Sequence, residues 1–255
     1  MKQASRKFID LIQQTSSKFA NWDPPHRIEV GDYGKIDRET GKLEKAGNIY
    51  DGSCEDAAVA RLAARYSPIT NPARDEYSLN SVHARRAEFG VDADATVAGL
   101  QYAALKAQWK FDKKRAALLT MHNPVSITIP DAFFEASRTI PFMKNKDLVV
   151  EVHQCEETVR LVLYANTPTN ETGGEINAGW WSDGASGVFQ KAYRPENLYT
   201  PLFRAKRIRK PGLLRRASPG FNEPDDNDLW ADTEVPWNYL DEDGVEEEDG
   251  DEVYE

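Results

Sequence analysis

Residues 105–112, LKAQWKFD, alternate strictly between apolar and polar side chains. The apolar positions of this stretch are Leu105, Ala107, Trp109 and Phe111. Because successive side chains of a strand point to opposite faces, this period of two predicts a β-strand with one apolar face and one basic-polar face. Such a strand suits a half-buried position in a soluble domain, and its alternation also suits a strand of about 9–11 residues that crosses a membrane.

Residues 27–52 predict a β-hairpin upstream of this strand. Its strands cover 33–37 and 42–46, and Gly41 takes a left-handed conformation at the turn. Residues 67–97 give no clean period of either kind.

Two β-rich runs follow later in the chain, DLVVEVHQC at 147–155 and TVRLVLYAN at 158–166. The acidic residues between them predict a turn, so the two runs predict another hairpin. Periodicity and capping patterns predict helices at 4–19, 56–66 and 130–139, the first of them amphipathic. Since the strands cluster and do not alternate regularly with helices, the sequence predicts an α+β fold with long antiparallel hairpins.

The charges divide the chain into two parts. Residues 222–255 hold 16 of the 42 acidic residues and no lysine or arginine, so residues 1–221 have 32 basic and 26 acidic residues, a net charge of +6. A basic body indicates an anionic partner, such as lipid headgroups, nucleic acid or an acidic protein. The acidic run predicts a disordered, solvated tail. We therefore expect one domain over 1–221, followed by a disordered tail over 222–255.

Three basic clusters supply the candidate binding residues: the N-terminal helix, the alternating strand with its end, and the run after residue 203. Each cluster also fits an ordinary solvated charged face. The last could bind nucleic-acid phosphates, although the sequence has no zinc finger, RNP-like aromatic motif or recognition helix. The candidates are Lys2, Arg6, Lys7, Lys110, Lys113, Lys114, Arg115, Arg204, Lys206, Arg207, Arg209 and Lys210.

Catalytic motifs are absent from the sequence, which has no phosphate-binding glycine loop, no GxSxG and no HExxH. His153 and Cys155 fall on one face of a predicted strand and could form half of a metal site, but no second pair has comparable spacing. A packed cysteine beside a partly exposed histidine is the simpler interpretation. We therefore expect no metal, no cofactor and no enzyme activity.

The sequence lacks signals for export. MKQASRKFIDLIQQTS has no apolar core of a signal peptide, and no window approaches the about 18–20 apolar residues of a spanning helix. Two cysteines, Cys54 and Cys155, make no disulfide framework. We expect a soluble cytoplasmic protein.

Three stretches resemble the fungal branch of the gasdermin family, and they occur in family order. They are VGDYGKIDRETGKLEKAGNIY (30–50), QWKFDKKRAALLTM (108–121) and YTPLFRAKRIRK (199–210). The similarity covers roughly residues 4–216 and is greatest to the regulator-of-cell-death proteins that govern allorecognition. It implies a gasdermin-like pore-forming domain with an amphipathic N-terminal helix, a twisted antiparallel sheet and long hairpins.

The resemblance further implies a cell-death effector that is cytoplasmic when inactive and acts at the plasma membrane. Its basic clusters would bind acidic phospholipids, and hairpins from 68–121 and 146–193 would insert and close an oligomeric β-barrel. The implied partners are acidic phospholipids and further copies of the chain or a diverged allelic variant, and not nucleic acid. A nucleic-acid-binding protein with an autoinhibitory acidic tail is the alternative. The residues expected to enter the membrane are Leu105, Ala107, Trp109 and Phe111.

The tail is where this sequence departs from animal gasdermins, which carry a large C-terminal repressor domain. Only 34 acidic-rich residues follow residue 221. The fungal relatives imply activation either by proteolytic loss of a short tail or by contact with an incompatible partner variant. A tail tethered beside a basic patch has a high local concentration, so it could mask that patch until it is displaced. In the other interpretation the tail only aids solubility.

Overall fold

The computed structural model describes residues 4–81, 84–86, 109–111, 115–138, 140, 145–156, 159–165, 176–178, 198–208, 230–240 and 246. These residues form helices and antiparallel sheets in one chain. The predicted α+β class with antiparallel strand pairing is confirmed at this coarse level.

The helices of the described residues are α1 (Ala4–Ser16), α2 (Ala57–Arg65) and α3 (Asp131–Ser137). The first seven strands are β1 (Phe19–Ala20), β2 (Asp32–Ile36), β3 (Leu43–Asn48), β4 (Ile69–Thr70), β5 (Glu76–Asn80), β6 (Ala84–Arg86) and β7 (Trp109–Phe111). The remaining strands are β8 (Arg115–His122), β9 (Val125–Thr128), β10 (Asp147–Cys155), β11 (Val159–Ala165), β12 (Ile176–Ala178), β13 (Tyr199–Ile208) and β14 (Trp230–Asp232).

An eight-stranded sheet, which we call the body sheet, contains β10 at its centre. Its main path runs β1-β13-β10-β2-β3, with β14 paired to β13, and with β9 paired to both β10 and β4. Every residue of β10 except Gln154 is buried, because strands pair along its edges and its apolar side chains belong to three core clusters. The strand also buries three polar side chains, Asp147, Glu151 and His153, which therefore need partners within the protein.

A four-stranded sheet, which we call the hairpin sheet, runs in the order β12-β11-β8-β5. β8 pairs with β5 on one side and with β11 on the other, and β11 also pairs with β12. β6 follows β5 along the chain, β7 precedes β8, and β6 pairs with β7. The antiparallel pairing of β5 with β8 is therefore continued by these two shorter strands. The hairpin sheet thus consists of two adjacent antiparallel hairpins, β5–β8 and β11–β12.

The α1 helix packs between the hairpin sheet and the body sheet. Phe8 and Ile12 on α1 share one apolar cluster with Leu119 of β8, Leu161 of β11 and Leu202 of β13. Because these side chains are 0–2 % exposed, separation of the hairpin sheet from the body would expose the apolar face of α1 as well. The predicted amphipathic helix is confirmed in residues 4–16.

The predicted hairpin in residues 27–52 is confirmed. β2 pairs with β3, and Gly41 at the turn has φ +71°. A Cβ atom on Gly41 would lie 2.4 Å from Cδ1 of Ile9 and 3.0 Å from the Trp237 ring. Glycine is therefore needed here both for its left-handed backbone and for the close approach of two neighbouring elements.

The predicted hairpin between 147–155 and 158–166 is wrong. Both runs are strands, but β10 pairs within the body sheet and β11 pairs within the hairpin sheet. The chain therefore crosses between the two sheets here, and β11 forms a ladder with β8 from Val159↔Met121 to Ala165↔Arg115. The second hairpin accordingly begins at Val159 and not in the preceding run.

The first helix is shorter than predicted. α1 ends at Ser16, Ser17 has φ +54°, and Phe19 pairs with Phe203 in the body sheet. The Ser16 hydroxyl donates to the Ile12 carbonyl at 2.7 Å, which satisfies an acceptor in the last turn. The periodic Phe19 that extends the helical pattern in the sequence is therefore a buried strand residue.

The structure describes residues 230–240 and 246 of the acidic run, which we call the C-terminal segment. β14 extends the edge of β13, and Trp230 and Trp237 are each 5 % exposed. Trp230 packs against Phe134 with 5.6 Å between ring centroids, and its indole nitrogen donates to Ser137. In these residues two large aromatic side chains bury their surface in the body, and disorder of the tail over 222–255 as a whole stays a prediction. A domain boundary at residue 221 stays a prediction.

Candidate functional site: basic residues and the C-terminal segment

Five of the candidate lipid-binding residues have described side chains, namely Arg6, Lys7, Arg204, Lys206 and Arg207. Four further candidates, for binding or for membrane entry, have a described backbone only, namely Trp109, Lys110 and Phe111 in β7 and Arg115 at the start of β8. The candidates that lie outside the described residues are Lys2, Leu105, Ala107, Lys113, Lys114, Arg209 and Lys210.

Arg207 is the counterion of a fully buried carboxylate. Its Nε donates to Oδ1 of Asp147 and its Nη2 to Oδ2, both at 2.8 Å, and Asp147 is 0 % exposed. The Thr233 hydroxyl in the C-terminal segment and the backbone N–H of Ile36 also donate to Asp147. Arg207 therefore joins β13, β10 and β2, a structural role that the sequence did not predict.

Arg204 and Lys206 also have partners within the chain. Arg204 Nε lies 3.2 Å from Oε2 of Glu151, close enough for an ion pair although it makes no hydrogen bond with the described residues. The Lys206 ammonium lies 5.1 Å from the Phe134 ring centroid. Binding of lipid headgroups to Arg204 or Lys206 would therefore compete with the contacts that these side chains make to Glu151 and Phe134.

Arg6 departs most from the prediction of a lipid-facing residue, since it is only 4 % exposed. Its Nη2 donates to Oε1 of Glu246 at 2.5 Å, and its guanidinium carbon lies 5.0 Å from the Trp237 ring centroid. Arg38, at the turn between β2 and β3, donates to the other oxygen of Glu246 at 2.7 Å. One carboxylate of the C-terminal segment is therefore shared by two arginines of the body.

The C-terminal segment also covers the polar face of α1 through Asp10. This carboxylate is 3 % exposed and accepts hydrogen bonds from the Trp237 indole nitrogen at 2.6 Å and the Leu240 backbone nitrogen at 3.1 Å. Three residues along the helix, Gln13 accepts from the Tyr239 hydroxyl at 3.0 Å. The face of α1 that carries Arg6 is consequently occupied by the chain's own acidic segment.

The two carboxylates at this contact have pKa values displaced in opposite directions. Burial raises the pKa of Asp10 to about 6, against the hydrogen bond from Trp237 and the charge of Arg6, which lower it. Hydrogen bonds from Arg6 and Arg38 lower the pKa of Glu246 to about 2. Docking is therefore favoured by a proton on Asp10 and by a charge on Glu246.

We expect docking of the C-terminal segment to be tighter near pH 5 than at pH 7. The Asp10 contribution is complete below its ordinary pKa and is lost as the pH rises through about 6, whereas the Glu246 contribution is lost only as the pH falls from about 4.5 toward 2. The free energy of unfolding should gain about 1.5 kcal/mol more between pH 7 and pH 5 in the wild type than in Asp10→Asn, because only the wild type can take up the proton. Urea titrations at both pH values measure this difference. Equal pH dependence in the two proteins would contradict the assignment.

His153 and Cys155 are both buried, at 3 % and 0 % exposure. The interpretation of a partly exposed histidine is therefore wrong for His153, which packs against the ring of Tyr77 and beside Glu151. The Cys155 thiol lies 2.8 Å from the His122 carbonyl oxygen, as expected for a packed cysteine. Among the described residues no three metal-ligating side chains are grouped to hold an ion.

No protein-family model, curated protein or solved structure matches this chain. In the described part of the chain, none of the helices has the length and apolarity to span a bilayer. The described geometry therefore carries the functional argument: cationic residues of a basic body are covered by an acidic segment of the same chain, beside a sheet of two hairpins.

Four residues of this site carry no signal of their role in the sequence, namely Asp10, Arg38, Asp147 and Glu246. One signal for the docked segment was present, since Trp230 and Trp237 are large apolar residues within an acidic run, which a purely solvated tail does not need. No signal distinguished Asp147 from the other acidic residues, because its importance comes from the crossing of β10 with β13.

Proposed function

We propose that the chain is a pore-forming protein of the gasdermin type, which attaches to acidic phospholipids, oligomerises and inserts its hairpins into the membrane. The observation that carries this proposal is the hairpin sheet, in which two antiparallel hairpins lie side by side and pair through β8 and β11. Such an arrangement supports joint movement of both hairpins, because their backbone hydrogen bonds to each other can be kept while the sheet leaves the body.

The edges of this sheet support assembly from many copies. Among the described strands, β5 and β12 each have a partner on one side only. A sheet edge cannot remain unpaired in hydrocarbon, since each unsatisfied backbone group costs several kcal/mol there. Insertion would therefore require the β5 edge of one copy to meet the β12 edge of the next, which makes oligomerisation part of the function.

The C-terminal segment supports a restraint on this activity. The resemblance implies that the first helix binds lipid, and Glu246, Trp237 and Tyr239 occupy the polar face of that helix. Lipid attachment through α1 would require the segment to leave. Proteolysis in the connection over 209–229 and contact with a diverged allelic variant are the two proposed triggers, and either would remove the segment from Arg6.

The hairpin that carries the alternating strand is tested by Trp109→Asp. We expect this change to reduce dye release from anionic liposomes at least tenfold while co-flotation with the liposomes is kept, because a carboxylate on the lipid-facing side of every copy opposes insertion. Gln108→Asp is the matched control on the opposite, polar side of the strand and should cost much less. Equal loss of attachment and release in Trp109→Asp would count against an inserting strand.

A further inference from the structure

Three polar side chains form a closed triangle at the base of the hairpin sheet. The Lys18 ammonium lies 2.6 Å from Oε1 of Glu151 and 2.9 Å from Nε2 of His153, and that same Nε2 lies 2.9 Å from Oε1 of Glu151. Glu151 and His153 are buried, and the Lys18 side chain is 16 % exposed. The three groups can therefore exchange few of these contacts for water.

The triangle cannot satisfy all three contacts at once. If Nε2 of His153 carries a hydrogen, it donates to Glu151 but faces an N–H of Lys18; if Nε2 is bare, it accepts from Lys18 but faces an oxygen of Glu151. A second proton on the ring fixes the first arrangement, with a positive imidazolium against a positive ammonium. Protonation of His153 therefore removes the choice between tautomers and adds a like-charge contact.

The triangle lies where three parts of the fold meet. Glu151 and His153 belong to β10 in the body sheet, and Lys18 lies between α1 and β1. Tyr77 on β5 of the hairpin sheet stacks on the His153 ring, with 5.2 Å between centroids and 17° between planes. The Lys18 ammonium lies 5.9 Å from the same Tyr77 ring.

The surrounding charges also oppose a further positive charge. Lys18 and Arg204 both lie beside Glu151, and Arg74 lies 5.3 Å from the centroid of the Tyr77 ring that stacks on His153. Burial lowers the pKa of His153, the hydrogen bond with Glu151 raises it, and the charges of Lys18 and Arg74 lower it further, with a net fall. Burial tends to raise the pKa of Glu151, but hydrogen bonds from His153 and Lys18 outweigh this and lower it to about 2. The carboxylate thus stays charged while the imidazole stays neutral.

We propose that this triangle is a proton-operated junction, in which uptake of one proton by His153 weakens the packing of Tyr77 on β10 and releases the first hairpin from the body. Separation of β5 opens the His153 ring to water, where the proton is accommodated. The release step is a property of the fold by itself, and only its consequence at a membrane rests on the proposed pore-forming function.

Because the pKa of His153 is lowered in the closed form, acid favours the opened form. Stability from the neutral His153 is present above its ordinary pKa of 6.5 and is lost as the pH falls below that value, because the opened form then binds a proton that the closed form does not. A single proton changes the opening equilibrium by at most tenfold per pH unit, and only below the ordinary pKa of 6.5. A fall from pH 7.5 to 5.5 therefore increases opening by at most about tenfold.

The Cys155 thiol reports the opening directly. It is 0 % exposed, it contacts the His122 carbonyl in the hairpin sheet, and it lies in the apolar cluster between that sheet and the body. In a Cys54→Ser background, we would compare the rate of Cys155 labelling by a dipyridyl disulfide in the wild type and in His153→Gln. Glutamine keeps a neutral side chain that can donate to Glu151 or accept from Lys18 but cannot take up a proton.

The ratio of the two labelling rates cancels the pH dependence of the reagent. We expect the ratio of wild type to His153→Gln to rise several-fold, up to about tenfold, between pH 7.5 and pH 5.5. A ratio that does not change with pH overturns the proposal. If His153→Gln does not fold, NMR of ¹³C-labelled histidine in the unmodified protein decides instead. A His153 ring that titrates at its ordinary pKa while Cys155 stays protected overturns the proposal, and a ring that becomes charged only together with Cys155 labelling supports it.

These measurements use no membrane. Absence of dye release would count against the pore-forming function and leave the junction standing. An unchanged labelling ratio would count against the junction and leave the pore-forming function standing.

Discussion

Replacing Arg207 by alanine is expected to lower the free energy of unfolding by about 2–3 kcal/mol, because it removes the counterion and two charged hydrogen bonds from the carboxylate of Asp147. Asp147 is 0 % exposed while the Arg207 side chain is 46 % exposed, so water that enters after the change replaces only part of the two lost hydrogen bonds. The remaining donors, Thr233 and Ile36, each make one bond and carry no charge. Urea or thermal unfolding followed by circular dichroism measures the loss.

Lys206→Ala is the control on the same strand, since it removes only a contact of the ammonium with the Phe134 ring. We expect it to cost less than about 1 kcal/mol. A double-mutant cycle with Asp147→Asn should show strong coupling to Arg207→Ala, because the ion pair between the two side chains is already lost in either single variant. A loss below about 1 kcal/mol in Arg207→Ala would show that the ion pair does not hold β10 to β13.

This result bears on any test of lipid binding through the third basic cluster. Charge reversal at Arg207 would place a second acid against Asp147 and is expected to unfold the protein. Loss of liposome attachment in that variant would then report misfolding. Because Arg207 is the described cation that holds Asp147, the lipid question is better asked with charge changes at Arg209 and Lys210.

Replacing Trp237 by alanine is the second change with a large expected effect, about 3–5 kcal/mol in the free energy of unfolding. The indole is 5 % exposed and packs in the cluster that contains Ile9 and Phe203. Its loss also leaves the buried Asp10 without the donor at 2.6 Å and Arg6 without the ring beside its guanidinium. We expect the C-terminal segment to become accessible, which hydrogen exchange of residues 238–240 would measure.

Tyr239→Phe is the matched control within the same segment. It removes one hydrogen bond, from a hydroxyl to Gln13 on a residue that is 39 % exposed, and should cost no more than about 1 kcal/mol. If Trp237→Ala leaves exchange of the segment as slow as in Tyr239→Phe, Trp237 does not hold the segment on α1.

Local patterns predicted the elements of this fold better than they predicted which elements meet. The hairpin of β2 and β3 follows from Gly41 and the runs on either side of it, because its partners are neighbours in sequence. The β10 and β11 runs were recognised as strands, but an acidic turn between two strands does not say whether they pair. Their separation into two sheets depends on β8 and β13, which lie far away along the chain.

The candidate site shows the same limit for charged residues. A basic run in a sequence gives no sign that one of its lysines or arginines forms an ion pair. Arg6 and Arg207 nevertheless each contact a carboxylate that is distant along the chain. Partners 240 and 60 residues away leave no local signal. The sequence suggested the 204–210 patch as the partner of the acidic run, whereas the described ion pairs of Glu246 are with Arg6 and Arg38, which lie far from that patch along the chain.

Dye release from liposomes by the intact and the cut chain tests the central claim most directly. A protease site would be placed in the connection over 209–229 and cut after folding, so that the C-terminal segment can leave an otherwise complete protein. The account predicts that the cut protein releases dye from liposomes with anionic phospholipid and not from neutral ones, and that the intact protein releases much less from either. If neither form releases dye while the protein stays folded, the pore-forming account is contradicted, and salt-sensitive binding to nucleic acid becomes the function to test.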